Sequence, residues 1–264
     1  MRLWLDINKT VEQNAAVYFE KAKKTRKKLA GAHAALAQHE RQLEQLRKKS
    51  AQSEKAEQEK KAFKQKKEWY EKFRWFISSE NFLVLGGRDA TTNDILIKKH
   101  ADPTDIIFHA DITGSPFCII KSESKAIGKL TMDETAQFCA SNSRAWKMEL
   151  SNLEVYSISP EQVTKEAMSG EYLGKGAFMI YGKKNKQYAD VRMSIGITAD
   201  GRVMGAPESA CSAHCTAFVT IRPGRIKKSD AAKKIKKILE DKSGKKVSLD
   251  SLMSVMPPGD CAFV

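Results

Sequence analysis

Few features of the sequence point to a membrane protein or to a secreted, disulfide-stabilised domain. No apolar run approaches the roughly 20 residues that a bilayer-spanning helix needs, and no short apolar stretch with a small-residue cleavage site stands at the N-terminus. The five cysteines are odd in number and widely spaced, unlike those of a disulfide framework. We therefore expect a soluble, cytoplasmic protein with reduced thiols.

The sequence also lacks a recognisable catalytic or cofactor-binding motif. Residues 170–176 are rich in glycine, but the glycine spacing is too short for a nucleotide-binding loop and no Ser or Thr follows the lysine to hold magnesium. His109 and Asp111 form a possible acid–base pair without a nearby nucleophile. One group of possible zinc ligands lacks the usual second cluster: Cys211, His214 and Cys215. We predict a protein that is not an enzyme, with no catalytic residue, metal or cofactor.

Positive charge is abundant. The chain has 46 Lys and Arg against 32 Asp and Glu, a formal net charge of +14. Such a chain accumulates around polyanions, because each neutralised phosphate releases condensed counterions. Nucleic acid is therefore the first partner to consider; the alternative is that the charge only keeps a long helix soluble.

Residues 11–49 have the pattern of one long helix, with no proline and one glycine. Apolar or small residues recur with a period of seven, as in a coiled coil: Ala15, Tyr18, Ala22, Leu29, Ala32, Leu36, Leu43 and Leu46. We predict a reversal at residues 50–53, so that residues 1–72 form a long antiparallel helical hairpin. Its lysines and arginines form either an RNA-facing stripe or an ordinary solvated surface.

From Trp75 onwards the composition changes to β-branched and aromatic residues, which predicts a second domain over residues 73–264. Residues 75–77 and 82–85 are predicted to pair as a hairpin. Further strands are predicted at residues 106–109, 117–121, 154–158, 177–181, 192–197, 203–206 and 216–221, and helices around 95–97 and at 133–147, 229–240 and 248–255. The predicted helices and strands do not alternate as repeated βαβ units. Their order therefore predicts an α+β fold with a mixed sheet.

Two short motifs are candidate RNA contacts. The run Gly86-Gly87-Arg88-Asp89 precedes a predicted helix, where backbone N–H groups and an arginine could bind a phosphate; the alternative is a tight turn with Asp89 or Thr91 as the helix N-cap. The run YGKKNK at residues 181–186 places lysines beside an aromatic ring. That composition suits RNA backbone contact with base stacking, or an ordinary charged strand end.

Three longer blocks carry a family resemblance: KFRWFISSENFLVLGGRDATTNDILIKKH, DIIFHADITGSPFCIIK and GEYLGKGAFMIYGKKN, in this order. They resemble the RNA-binding region of the NFACT family of RqcH/NEMF-like quality control factors. The segment LDINKTVEQNAAVYFEKAKKTRKKLAGA is similar to the start of that family's coiled coil. Residues 221–224 and 257–259 look like the tail of its archaeal branch.

The resemblance implies a factor of ribosome-associated quality control. Such a factor binds the large ribosomal subunit obstructed by peptidyl-tRNA, recruits tRNA, and supports C-terminal tailing of the stalled nascent chain, while the peptidyl-transfer chemistry belongs to the ribosome. The main alternative is a coiled-coil protein-interaction or scaffold module with an incidental basic surface.

Family members usually carry a large N-terminal domain and a helix-hairpin-helix segment, which have no counterpart in these 264 residues. We therefore expect an expressed fragment, one half of a split gene with a separate N-terminal NFACT half as partner, or a stand-alone paralogue. The first predicted helical arm is also longer than the second, so that the region around Tyr18 should need a cover from elsewhere.

Residues at the family's motif positions are the candidate site. Those expected to contact RNA are Arg88, Lys98, Lys99, His109, Lys121, Lys183 and Lys184. Those expected to order the loops between them are Asp89, Asn93, Asp111 and Asn185.

Overall fold

The computed structural model describes residues 3–62, 68–166 and 173–264. The chain divides into two compact units, residues 1–65 and 66–264. The sequence places this boundary slightly later, after residue 72.

The first unit is a single long helix with a short N-terminal lead. Helix α1 spans Val11–Ala62, and Thr10 and Gln13 exchange hydrogen bonds at its start in the manner of a capping box. The lead folds back on the helix, where the Tyr18 hydroxyl donates to the Trp4 carbonyl over 2.6 Å. Asn14 is buried and donates to the Asp6 carbonyl.

The predicted chain reversal at residues 50–53 is wrong, because α1 continues through them to Ala62. The physical reason is local: this stretch contains no Gly or Pro, and Ala, Glu, Gln and Lys around the two serines favour helix. Residues 63–67 of the expected return arm lie outside the described residues. Within this unit the seam leucines are between 55% and 62% exposed: Leu29, Leu36, Leu43 and Leu46.

The second unit is built from antiparallel sheets and short helices. Its strands are β1 (Arg74–Ile77), β2 (Leu83–Gly86), β3 (Ile106–His109), β4 (Cys118–Lys121), β5 (Asn152–Ile158), β6 (Val163–Thr164), β7 (Met179–Ile180), β8 (Asn185–Asp190), β9 (Met193–Thr198), β10 (Val203–Ala206), β11 (Cys215–Ile226) and β12 (Cys261–Phe263). Its helices are α2 (Ala90–His100), α3 (Lys129–Ser141), α4 (Glu208–His214), α5 (Lys228–Ser243) and α6 (Leu249–Val255). The predicted α+β class is confirmed.

Two sheets organise this unit. The larger has the strand order β1-β2-β4-β3-β5-β8, and the smaller has the order β10-β9-β11-β12. The predicted hairpin of β1 and β2 is confirmed. Strands β9 and β10 also form a hairpin, which turns through Gly201 with a φ of +86°. Strand β8 was not predicted, and it forms an edge of the larger sheet.

Helix α3 fills the space between the sheets. It contacts β3, β4, β5 and β8 of the larger sheet and β9 of the smaller one. Its Phe138 ring packs on Phe76 of β1, with ring centroids 4.8 Å apart. The core therefore joins both sheets into one hydrophobic cluster, which also includes Ile119 and Ile195.

A buried carboxylate on α3 ties three elements together. Glu134 is only 2% exposed, and it accepts hydrogen bonds from the Ser79 backbone N–H and from the Ser79 and Ser209 hydroxyls. Ser79 belongs to the turn between β1 and β2, and Ser209 to α4. A buried carboxylate is tolerated here because several donors replace its lost water contacts.

We predict that Glu134→Ala lowers the free energy of unfolding by about 3 kcal/mol, since it leaves the Ser79 N–H without its charged acceptor. Urea denaturation of the full chain measures this difference. The matched control is Asp133→Ala at the exposed neighbouring position, where we expect a change of about 0.5 kcal/mol or less. Equal losses in both variants would contradict the role given to Glu134.

Candidate nucleic-acid interface

Three segments that are distant in sequence meet around one cavity of about 590 Å³. They are residues 87–93 at the start of α2, residues 109–117 between β3 and β4, and residues 175–180 up to β7; Asn142 and Tyr156 complete the lining. We call this cavity the three-segment cleft. Each segment lies within one of the three blocks that carry the family resemblance.

The first segment is fixed by the N-terminus of α2. Asp89 is the N-cap, and its carboxylate accepts hydrogen bonds from the Thr92 backbone N–H over 2.8 Å and from the Thr92 hydroxyl. The backbone hydrogen bond from Thr92 lowers the pKa of Asp89 below its usual value of 3.8. The rim of the cleft therefore carries a negative charge at neutral pH.

Arg88 holds the fold together with its side chain. Its guanidinium donates to the Ser254 carbonyl over 3.0 Å and to the Phe73 carbonyl over 2.9 Å. Burial lowers its pKa, although arginine stays charged at any ordinary pH. A phosphate could take over these donors only if the hydrogen bonds to Phe73 and Ser254 broke, so they are occupied within the fold.

The second segment is bound to the first through backbone and amide groups. Gly87 donates its N–H to the Phe117 carbonyl over 3.0 Å, and the Asn93 side-chain oxygen accepts from the Phe117 N–H over 3.2 Å. A Cβ at Gly87 would lie 1.7 Å from the same Asn93 oxygen. A side chain at position 87 would therefore displace the amide that binds the second segment.

The third segment is bound to α2 by Asp94. Its carboxylate accepts from the Gly176 N–H over 3.0 Å and from the Lys165 ammonium over 3.1 Å. Gly176 has a φ of +79°, and a Cβ there would lie 2.6 Å from the Ala90 Cα. Both the backbone conformation and the available space exclude a side chain at position 176.

His109 lies against an aromatic ring inside the cleft. Its imidazole stacks on Phe117 with centroids 4.1 Å apart and an angle of 6° between the planes. Its Nδ1 lies 3.1 Å from the Pro116 carbonyl oxygen; a carbonyl only accepts, so Nδ1 carries the proton. Burial lowers the pKa of His109 below 6.5, and the ring is neutral at pH 7. Its Nε2 is then an acceptor, without a partner among the described residues.

Asp111, Tyr156 and Lys184 form the opposite rim. The Tyr156 hydroxyl donates to Asp111 over 3.1 Å, and the Lys184 ammonium lies 3.2 Å from the same carboxylate and 4.3 Å from the Tyr156 ring centroid. Burial alone would raise the pKa of Asp111, but the hydrogen bond and charge of Lys184 outweigh it and lower this pKa. Burial and the neighbouring Asp111 raise the pKa of Tyr156. On this rim the Asp111 carboxylate is therefore ionised and forms an ion pair with Lys184.

Next to this rim, a group of lysines and tyrosines leads into β8 and along it; all are exposed except Lys184, which is half-buried. Asn185 begins the strand and lies opposite Ser157 of β5. Lys183 is exposed, and its ammonium has no ion-pair partner among the described residues. We call this surface the lysine–tyrosine edge: Tyr181, Lys183, Lys184, Lys186 and Tyr188.

The remaining predicted cations lie away from the cleft. Lys98 and Lys99 are exposed at the far end of α2, and Lys98 lies 3.5 Å from Asp94. The Lys121 side chain is 13% exposed, and its ammonium is bound by Asp102 and Asp105. Burial would lower the pKa of Lys121, but these two carboxylates raise it. Lys121 is therefore occupied inside the fold.

Three residues that line the cleft or bind its segments together have no signal in the sequence. Asn142 follows α3 and Tyr156 lies in β5, both outside the blocks that carry the motifs. Asp94 directly follows the predicted Asn93, but only its contact with Gly176 reveals its role.

The candidate zinc ligands do not assemble into a site. His214 places its Nε2 2.7 Å from the Ser78 carbonyl oxygen. Across residues 3–62, 68–166 and 173–264, no three His, Cys, Asp or Glu side chains are arranged to hold a metal ion. Within the same ranges, no helix combines the length and the apolar character that crossing a membrane requires.

We predict that Gly176→Ala destabilises the second unit by about 2 kcal/mol, because alanine is strained at positive φ and its methyl group meets the Ala90 backbone. Urea unfolding measures the loss. Gly174→Ala is the matched control, since nothing lies within 4 Å of a Cβ there, and its stability should stay near that of the parent chain. A similar loss in both variants would show that the close contact with α2 is not what requires Gly176.

Comparison with known proteins identifies the second unit. Residues 72–182 match the family model of the NFACT protein RNA binding domain. These residues contain all three segments of the cleft. They exclude β8, which begins just beyond the match.

Three relatives extend this result. The archaeal Rqc2 homologue aRqcH of Methanocaldococcus jannaschii is 37% identical over 188 residues, which cover 69% of this chain and 27% of that protein. The NEMF homologue of the Drosophila melanogaster ribosome quality control complex is 43% identical over 111 residues, or 42% of this chain and 11% of that protein.

Human NEMF is 41% identical over 111 residues, which cover 42% of this chain and 10% of that protein. The chain thus spans about a quarter of the archaeal relative and about a tenth of the animal ones. Residues 72–182 form an NFACT RNA-binding domain, and the chain belongs to the NFACT family as a protein similar to RqcH and NEMF.

Proposed function

We propose that this chain is an RNA-binding component of ribosome-associated quality control. It acts in the cytoplasm and binds the large ribosomal subunit obstructed by peptidyl-tRNA. It also contacts tRNA and supports C-terminal tailing of the stalled chain, without a catalytic centre of its own. The observation that carries the proposal is the NFACT RNA-binding domain, whose cleft adjoins an exposed surface of lysines and tyrosines.

The lysine–tyrosine edge has the composition that RNA binding needs. Tyr181 is 42% exposed and Tyr188 is 74% exposed, so both rings are accessible for stacking with bases. The exposed ammonium of Lys183 is available to a phosphate, while Lys184 and Lys186 already pair with Asp111 and Glu154. The lysine–tyrosine edge can therefore contact RNA phosphates through lysine and stack on bases of any sequence through its tyrosines.

The ribosomal role rests on the relatives, which are named for ribosome quality control. The relatives are longer than this chain, and we propose that an N-terminal NFACT half acts together with it. Peptidyl transfer during tailing is then carried out by the ribosome. The function of this chain is to hold RNA in place.

We predict that replacing both Lys183 and Lys184 by Ala weakens RNA binding and makes the slope of log K against log salt shallower by about one to two units. Each lost phosphate contact reduces the magnitude of this slope by about 0.7 to 0.9. Fluorescence anisotropy with a labelled RNA across a salt series measures this slope.

The control is the double variant Lys125→Ala and Lys129→Ala. It removes the same charge from two exposed positions that follow β4 in the chain and do not line the cleft. Its slope should stay within about half a unit of the parent. A double variant of Lys183 and Lys184 with an unchanged slope would remove the edge from the RNA interface.

Cosedimentation tests the ribosomal part of the proposal. The purified chain is mixed with large subunits that carry peptidyl-tRNA, with empty large subunits and with whole ribosomes, across a salt series. We expect selective, salt-sensitive binding to the obstructed subunit. Equal binding to all three particles would contradict selectivity for the obstructed state.

A second candidate function is protein interaction through α1. Its seam leucines are exposed, and so are Ile7, Val11 and Phe19 near its start, which favours a protein partner that covers them. In the same cosedimentation experiment, a chain that binds none of the particles at moderate salt would favour this scaffold role over RNA binding.

A further inference from the structure

One buried polar atom in the three-segment cleft has no hydrogen-bond partner among the described residues. Asn142 is 5% exposed, and its Nδ2 donates to the Phe138 carbonyl over 3.0 Å. That bond fixes the orientation of the amide, because the flipped orientation would place two oxygens against each other. Its Oδ1 is left buried and unpaired. An unpaired buried acceptor destabilises the fold, and a donor from outside the chain would remove that cost.

His109 supplies a second acceptor to the same cleft. Its Nδ1 proton is used by the Pro116 carbonyl, so that Nε2 offers a lone pair. The ring is held by stacking on Phe117, which itself meets the Phe178 ring edge to face at 5.4 Å. The cleft thus combines flat aromatic surfaces with two acceptors that lack protein donors among the described residues. A ligand that fits must be flat and must carry N–H groups.

The charges at the rim decide which part of a nucleic acid enters. Asp89 and Asp111 are ionised carboxylates that line the cleft, and they repel a phosphate. Two cations also line the cleft, but Arg88 donates to backbone carbonyls and the charge of Lys175 acts on Asp89. Lys184 is paired with Asp111, and Lys183 lies on the exposed edge. An RNA strand would therefore keep its phosphates at the lysines and point a base towards the cleft.

We propose that the three-segment cleft binds a single unpaired nucleobase of RNA, and that it selects bases with an exocyclic amino group through Asn142 Oδ1 and His109 Nε2. The proposal rests on the RNA-binding function proposed above and adds a specificity to it. Adenine, cytosine and guanine each carry such an amino group. Uracil carries only a ring N–H between two carbonyls, and these carbonyls face acceptors. The cavity of about 590 Å³ is within the usual range of small-ligand sites.

The test uses the full chain and a series of short RNAs. Each RNA is a labelled run of seven uridines whose central residue is uridine, adenosine, cytidine, guanosine or an abasic site. Fluorescence anisotropy at one fixed salt concentration gives the five affinities. We expect the three amino-bearing bases to bind about fivefold tighter or more than uridine, the gain of one hydrogen bond to a previously unpaired acceptor.

Two variants assign this preference to the cleft. Asn142→Leu removes the acceptor and should lower the affinities for the amino-bearing bases to that for uridine. His109→Phe keeps a ring on Phe117, removes Nε2 and should reduce the preference. Thermal unfolding by circular dichroism shows whether each variant is folded. If Asn142→Leu fails to fold, His109→Phe alone tests the preference.

Three outcomes overturn the inference. Equal affinity for all five RNAs would show that no base is selected, and the RNA-binding function would still stand if binding remained sensitive to salt. A preference that persists in Asn142→Leu would mean that Oδ1 binds only a buried water. An absence of binding to every RNA at low salt would overturn both this inference and the proposed function.

Discussion

The cleft exists because two chain segments are bound closely to the start of α2. A Cβ at Gly176 would lie 2.6 Å from the Ala90 Cα, and a Cβ at Gly87 would lie 1.7 Å from the Asn93 oxygen that binds the second segment. Asn93 and Asp94 then accept from the backbone N–H groups of the other two segments. Because an unpaired buried N–H is costly, these two side chains fix where the segments stop and leave the cavity between them.

Some cationic side chains of this protein bond to other groups of the fold, and others are exposed to solvent. Arg88 and Lys165 donate to backbone carbonyls, and the Lys121 ammonium is enclosed by two carboxylates. A buried cation is stable only with such partners, and removing it would leave the partners unpaired. Lys183 remains exposed next to two accessible tyrosines. The net charge of +14 therefore overstates the charge that RNA can reach.

The long helix presents a different constraint. Its exposed leucines at heptad spacing would each gain about 1.5–3 kcal/mol if they were buried, which is a strong drive towards association. The N-terminal lead covers only the first turns, through Trp4, Asp6 and their bonds to Tyr18 and Asn14. The helix is thus suited to binding another apolar helix or surface along its length.

Sequence alone determined the two-part organisation, the α+β class and the hairpin of β1 and β2, because hydrophobic periodicity and turn residues are local signals. It missed β8, whose run NKQYAD is mostly polar and lies at a sheet edge, and it placed a turn inside α1. It also marked Asp89, Asn93 and His109, which the cleft brings together. Only the tertiary structure decided which cations are occupied and that the Asn142 Oδ1 has no partner among the described residues, because the partner of a buried polar group comes from a segment remote in sequence.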